Sequence, residues 1–216
     1  MGKRLVVFGS TGATGSHVVR LALADGLQVR AYARSPHKIP EAVRVHERLE
    51  VAEGDFTNTR AIRTALRDAD SVICAGGNAK LSKAGRVMSA LVRDVVIGMR
   101  EHGVRRLVYQ AGAFSPAPST RSPLSLRAMR TVVGGLMGIS GTLADNDEIM
   151  IYLDQEARDI DWTVTRPGLI RERPSKGPIR ALSSPGPVCH FVDLAQFTLD
   201  TAMSDALTHE FPYVGY

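Results

Sequence analysis

Apolar runs of four to six residues alternate along the chain with longer segments in which apolar positions recur at helical spacing. The runs predict strands over Arg4 to Phe8, Gln28 to Ala33, Leu49 to Ala52, Ser71 to Ala75, Arg106 to Gln110 and Trp162 to Thr165, with a last one near Phe211 to Val214. The periodic segments predict helices over about Ala13 to Asp25, Thr59 to Arg67, Gly85 to Glu101, Asn146 to Arg158 and Asp193 to Ser204. Near-continuous apolar strands separated by helices are the pattern of βαβ units, whose parallel sheet is covered on both faces. The expected architecture is therefore α/β, a doubly wound parallel sheet with helices on both faces.

Two stretches break the alternation, Phe114 to Ala144 and Arg171 to His190, where Pro116, Pro118, Pro123, Pro174, Pro178, Pro185 and Pro187 are expected to interrupt any strand. Both follow predicted strands, which puts them beyond the carboxyl ends of a parallel sheet, the edge where such folds bind ligands. They are expected to be substrate-side loops. Within the first, Leu126, Met129, Val133, Leu136 and Met137 recur at helical spacing, as core, a subunit contact or a lid would require.

The first strand runs into Gly9-Ser10-Thr11-Gly12-Ala13-Thr14-Gly15 and then a helix. In such a turn Gly9 permits the tight bend, Gly12 lets backbone approach a pyrophosphate, and Gly15 lets the helix pack closely on the strand. The helix start offers free N–H groups and a positive dipole end to phosphates. A dinucleotide site on a Rossmann-type sheet is the expectation. After the second strand come Arg34, Ser35 and Lys38, where an NAD-specific fold would place an acid on the ribose 2′-hydroxyl. Two cations and a hydroxyl suit a 2′-phosphate instead, so NADP(H) is expected over NAD(H).

A length of 216 residues suits one domain, residues 1–216, and 44% hydrophobic residues are enough for an ordinary core. The two cysteines, Cys74 and Cys189, form no C-x-x-C pair, and the six histidines show no ligand spacing. No metal is expected. The sequence leads directly into the first strand with no signal-peptide pattern, and no apolar run reaches the ~20 residues of a spanning helix. Cysteine usage fits a reducing cytoplasm. The formal charge of +5 is too mild to imply nucleic acid. The basic residues do cluster: no Asp or Glu falls between His102 and Ala144, and Arg171, Arg173, Lys176 and Arg180 form a second group. A small-molecule substrate, anionic or aromatic, is the expected partner of a monomer or homodimer, with neither nucleic acid nor membrane.

The glycine turn, Glu53-Gly54-Asp55-Phe56, Ile160-Asp161-Trp162-Thr163, Thr165-Arg166-Pro167-Gly168 and Phe191-Val192-Asp193-Leu194-Ala195 stand in the order and approximate spacing of atypical short-chain dehydrogenases/reductases. Within these the chain resembles the NmrA-like group and the biliverdin-IXβ reductase/flavin reductase branch. The resemblance implies that Asp55 and Phe56 lie at the adenine. It implies that Ala75, Gly76 and Gly77 pass beside the ribose and phosphates, with Ala111 and Gly112 close by. It places Pro167, Gly168, Leu169 and Ile170 at the nicotinamide.

The family's usual Tyr-x-x-x-Lys pair is absent, with Ala144 and Glu148 at the corresponding positions, and the usual serine after the fifth strand is replaced by Gly112 or its neighbours. Hydride transfer to an aromatic, flavin-like or quinone-like acceptor survives that loss, because it needs positioning more than acid–base machinery. The alternatives are a redox sensor that binds NADP(H) without turnover, as NmrA-like proteins would, and an epimerase that retains the dinucleotide. Glu148 and Tyr152, four residues apart and so on one helical face, are the expected proton-handling pair. Asp147 stands beside them, and Tyr109 and Ser115 near the end of the fifth strand are weaker candidates.

Overall fold

The computed structural model describes residues 2–76, 86–118, 124–136, 138–186 and 188–216. Its sheet has eight strands in the order β3-β2-β1-β4-β5-β6-β10-β8. The strands are β1 Arg4–Phe8, β2 Gln28–Ala33, β3 Leu49–Glu53, β4 Ser71–Cys74, β5 Arg106–Gln110, β6 Asp161–Pro167, β8 Arg180–Leu182 and β10 Tyr213–Gly215. All neighbours pair in parallel except β10 with β8. Order 3-2-1-4-5-6 is the doubly wound arrangement, and its direction reverses between β1 and β4.

Side chains of β1 alternate between two cores, as a strand's period of two requires. Val6 and Phe8 face Ile62, Leu91 and Ile149, from helices α3 Thr59–Thr64, α4 Val87–His102 and α6 Ser140–Glu156. Leu5 and Val7 face Val18, Val19 and Leu199, from α1 Ala13–Ala24 and α7 Phe191–Ala202. With both faces covered, β1 and β4 are buried along nearly their whole length, which is why they read as unbroken apolar runs. The short helix α2 Glu41–Arg44 and a 3₁₀ turn at Pro36–Lys38 connect β2 to β3.

Arg30 and Arg166 are among the buried charged side chains that hold the interior. Arg30 on β2 donates to the carbonyls of Ala65 and Arg67, closing the turn after α3. Arg166 on β6, 7% exposed, donates to the carbonyls of Phe211 and Ser115 and stacks on the Tyr213 ring at 3.7 Å. The Arg-Pro-Gly segment thus joins β6 to β10.

Residues 171–190 are more regular than expected. They carry β8 and β9 Val188–His190, and β9 pairs in parallel with β7 Leu169–Arg171 in a separate two-stranded sheet. Pro178 and Pro185 lie outside these three-residue strands, so neither removes a ladder donor. In the other stretch the periodic stripe forms α5 Leu124–Leu136, and α6 begins at Ser140, six residues before the expected Asn146. Leu136 of that stripe is 85% exposed, so the end of α5 is not core, while Met137 lies outside the described residues.

Candidate dinucleotide site

The carboxyl edge of the sheet, where the strand order reverses, opens into a cavity of about 610 Å³. That is within the ~300–1,000 Å³ typical of small-molecule sites. Gly9, Thr11, Gly12, Ala13 and Thr14 line its centre. Two of the three glycines are demanded by backbone proximity. Gly9 has φ +82°, and a Cβ there would stand 2.7 Å from the Gly76 nitrogen. A Cβ on Gly15 would stand 2.2 Å from the Gly9 carbonyl oxygen, so α1 reaches its place against β1 only through a glycine. Gly12 caps α1 without a side chain, so the cap residue supplies no side-chain acceptor to the first N–H groups of the helix. The open helix start therefore faces the cavity, the arrangement that binds phosphates.

On the β2–β3 side the lining is polar and cationic: Arg34, Ser35, Lys38, Asp55, Phe56 and Thr57. Asp55 Oδ1 accepts from the Thr57 backbone and hydroxyl at 3.0 and 2.9 Å, while Oδ2 lies 3.8 Å from the Arg34 guanidinium. One oxygen of Asp55 is thus committed to its own turn. Tyr32 closes the floor. Its hydroxyl donates to the Asp55 carbonyl at 2.8 Å, and its ring lies against Phe8 and Phe56. Burial, with the Asp55 charge adding, pushes the Tyr32 phenol up to about 12.

On the β4–β5–β6 side the lining is Ala75, Gly76, Val87, Gln110, Ile170 and Phe191. Phe191 and Val87 begin α7 and α4, helices that start at this edge. A knot of polar groups fixes the Phe191 end. Asp193 accepts from the Ser175 hydroxyl, the Lys176 backbone and the Tyr216 hydroxyl, tying the turn after β7 to α7. Burial opposes ionisation of Asp193, but these hydrogen bonds outweigh it and hold the carboxyl below its usual range.

Of the residues expected at the cofactor, the structure gathers Gly9, Thr11, Gly12, Ala13, Thr14, Arg34, Ser35, Lys38, Asp55, Phe56, Ala75, Gly76 and Ile170 around one cavity. Ser10 turns inward, its hydroxyl donating to the Tyr32 carbonyl. Gly15 packs under the turn. Ala111, Gly112, Pro167, Gly168 and Leu169 are not among the lining residues. Ala111 N–H bonds the Thr165 carbonyl, the Pro167 carbonyl accepts from Ala113, and Leu169 is 53% exposed. Gly77 lies outside the described residues.

Glu148 and Tyr152 do share a helix face, but that face packs on α4 and neither residue lines the cavity. Glu148 pairs with Arg86 at 2.6 Å and Arg93 at 3.8 Å. Tyr152 is 5% exposed under the Arg93 guanidinium, 4.2 Å from its ring, and burial raises its phenol against the opposing pull of Arg100 and Arg93. The weaker candidates are occupied or enclosed too. Asp147 pairs with Arg130, the Tyr109 hydroxyl donates to Asn146 at 2.6 Å, and Ser115 is wholly buried.

Tyr32, Ala33, Thr57, Val87, Gln110 and Phe191 were not foreseen in the lining. Gln110 had a signal: it is a polar residue ending the otherwise apolar run Leu107-Val108-Tyr109 at the carboxyl edge.

Fold and cavity together define a dinucleotide-binding protein of the doubly wound class. The chain belongs to the NAD(P)H-binding family, whose model it matches over residues 9–204. In sequence it is 29% identical over 119 residues to a 3-beta-hydroxysteroid dehydrogenase of Mycolicibacterium neoaurum, a match covering 50% of this chain and only 31% of that curated relative's length. In structure it is similar to a wide-type short-chain dehydrogenase/reductase from Veillonella parvula in complex with NADP (TM-score 0.75, 16% identity, 100% of this chain and 95% of that one). It is also similar to ChuY, an anaerobillin reductase from Escherichia coli O157:H7 (TM-score 0.75, 18% identity, 98% and 96% covered). At these identities the likeness is one of fold. Among the described residues no helix is long and apolar enough to cross a membrane, and no group of His, Cys, Asp and Glu could hold a metal.

Proposed function

We propose that the protein is an NADP(H)-dependent reductase that passes hydride to a planar aromatic, flavin-like or quinone-like acceptor. The observation that carries this reading is the split character of the cavity, cationic beside β2 and almost wholly apolar beside β4 and β5. Arg34, Ser35 and Lys38 would hold a 2′-phosphate, the open start of α1 the pyrophosphate, and Phe56 the adenine face. When bound, the reduced dinucleotide supplies the hydride. Ala75, Gly76, Val87, Ile170 and Phe191 would hold a flat ring and keep water from it. The described lining residues on that side include no titratable side chain, and hydride transfer to such an acceptor can take its proton from solvent.

That same absence favours one second reading, a binder of NADP(H) that reports redox state without turnover. An epimerase would need an acid–base pair at the cleft, and Glu148 and Tyr152 are held on the α4–α6 interface instead.

Two measurements test the proposal. NADPH absorbance is followed against a panel of flavins, quinones and small enones, where steady oxidation with any acceptor supports the reductase and none at all leaves the sensor. Titration of both cofactors is expected to give at least tenfold tighter NADPH than NADH binding, about 1.4 kcal/mol. Arg34→Ala should shrink that preference, and equal affinities in the unaltered protein would sink the NADP(H) assignment.

A further inference from the structure

Gln110 ends β5 and lines the cavity, and its side-chain oxygen Oε1 is buried without a hydrogen-bond partner. A buried amide oxygen left unpaired is costly, and most such groups find a partner in protein or ordered water. Every other described lining residue on this side, Ala75, Gly76, Val87, Ile170 and Phe191, offers an apolar side chain or none. Gln110 is therefore the lone polar side chain among the described residues of an apolar half-cavity. Small-molecule sites use such a group to fix orientation.

Its place in the sheet says what it meets. The glycine turn follows β1, Arg34 and Lys38 follow β2 on one side, and Gln110 ends β5 on the other. Two strand spacings, ~10 Å, separate β1 from β5. A dinucleotide with its pyrophosphate at the turn and its adenosine phosphate beside β2 must extend its other half toward β5. We propose that Gln110 is a positioning residue for the nicotinamide riboside half of the cofactor, its amide accepting from an N–H or O–H donor there. The two donor sources are the nicotinamide carboxamide and the ribose hydroxyls. With no acid or base among the described lining residues on this side, alignment of the ring is what those residues can contribute.

This inference rests on the dinucleotide reading, and binding alone tests it, with no acceptor required. NADP⁺ and adenosine 2′,5′-bisphosphate, which lacks the nicotinamide riboside, are titrated into the unaltered protein, Gln110→Met and Gln110→Leu. Both substitutions remove the amide and keep an apolar side chain of similar reach, and affinity for the bisphosphate reports an intact fold. Expected is a loss of about tenfold for NADP⁺, about 1.4 kcal/mol, with bisphosphate affinity unchanged. The 3-acetylpyridine analogue of NADP⁺ has no carboxamide N–H. If the Gln110 effect vanishes with it, the donor is the carboxamide; if the effect persists, the donor is the ribose. A change below twofold for NADP⁺ in both variants, or equal losses for NADP⁺ and bisphosphate in a folded variant, overturns the assignment while leaving the dinucleotide site intact. Failure of the unaltered protein to bind either nucleotide overturns both.

Discussion

Replacing Asp145 tests how the cavity's outer wall is held. Helix α4 begins without a cap of its own, because the Arg86 side chain at the capping position accepts no hydrogen bond from its first turn. The acceptor comes from α6. Asp145 is 4% exposed, and its two oxygens accept from the backbone of Met88 at 3.0 Å and Ser89 at 2.9 Å. Asp145→Ala leaves two buried N–H groups unpaired and removes two charge-assisted bonds. Each bond to a charged group contributes ~1.5–3 kcal/mol, and the bonds share one carboxylate, so a total of about 3 kcal/mol is expected. Asp145→Asn keeps one acceptor and turns an amide N–H toward the other donor, for an expected loss of about 2 kcal/mol. Urea unfolding followed by circular dichroism measures both, and in a chain of this size 3 kcal/mol corresponds to roughly 6–12 °C in Tm. The expected order is unaltered protein, Asn, Ala. An Ala variant within 1 kcal/mol of the unaltered protein (~fivefold in the unfolding equilibrium) would refute the account of Asp145 as the cap of α4.

Gly15→Ala ought to raise helix propensity by ~1 kcal/mol, yet its Cβ would meet the Gly9 carbonyl at 2.2 Å, so a net loss of ~1–3 kcal/mol and at least tenfold weaker NADP⁺ binding are expected; a variant as stable as its parent would contradict the packing described for α1. The Tyr216 phenol is pushed up to about 12 by burial, with the hydrogen bond to Asp193 adding to it. A folded-state value above the unfolded one of about 10 gives stability present below pH 10 and lost as pH rises toward 12. The difference in urea midpoint between the unaltered protein and Tyr216→Phe should therefore shrink over that interval, and a constant difference would count against the linkage.

The sequence pattern was most legible where burial on both faces left one reading. Strands β1, β2 and β5 fall at the expected limits because apolar runs, broken in β2 by Arg30 alone, meet polar residues or glycine at their ends. The glycine turn was legible for a different reason: contacts of 2.2 and 2.7 Å admit no side chain. Strands β8 and β9 were hidden by their length, since three residues close to prolines carry no periodicity. The start of α6 was hidden because Ser140, Gly141 and Thr142 are weak helix formers. Spacing put Glu148 and Tyr152 on one face but could not tell toward what that face turns. Nothing in the one-dimensional pattern foretold that Asp145 would cap a helix 57 residues earlier in the chain.

The two rims of the sheet bear on how copies of this protein can meet. Any outermost strand presents unpaired backbone groups, a template on which another chain can add itself. At one rim β3 carries Glu50 and Glu53, with Glu50 held in place by Arg30 at 2.8 Å. At the other rim β8 is three residues long, exposes Arg180 and is bracketed by Pro178 and Pro185. Two further strands laid against these rims would have to bury carboxylates on one side or pair with a segment too brief to hold them. Lateral growth of the sheet into ribbons is thereby discouraged, and association between copies is left to helical surfaces such as the exposed Val132 and Leu136 of α5.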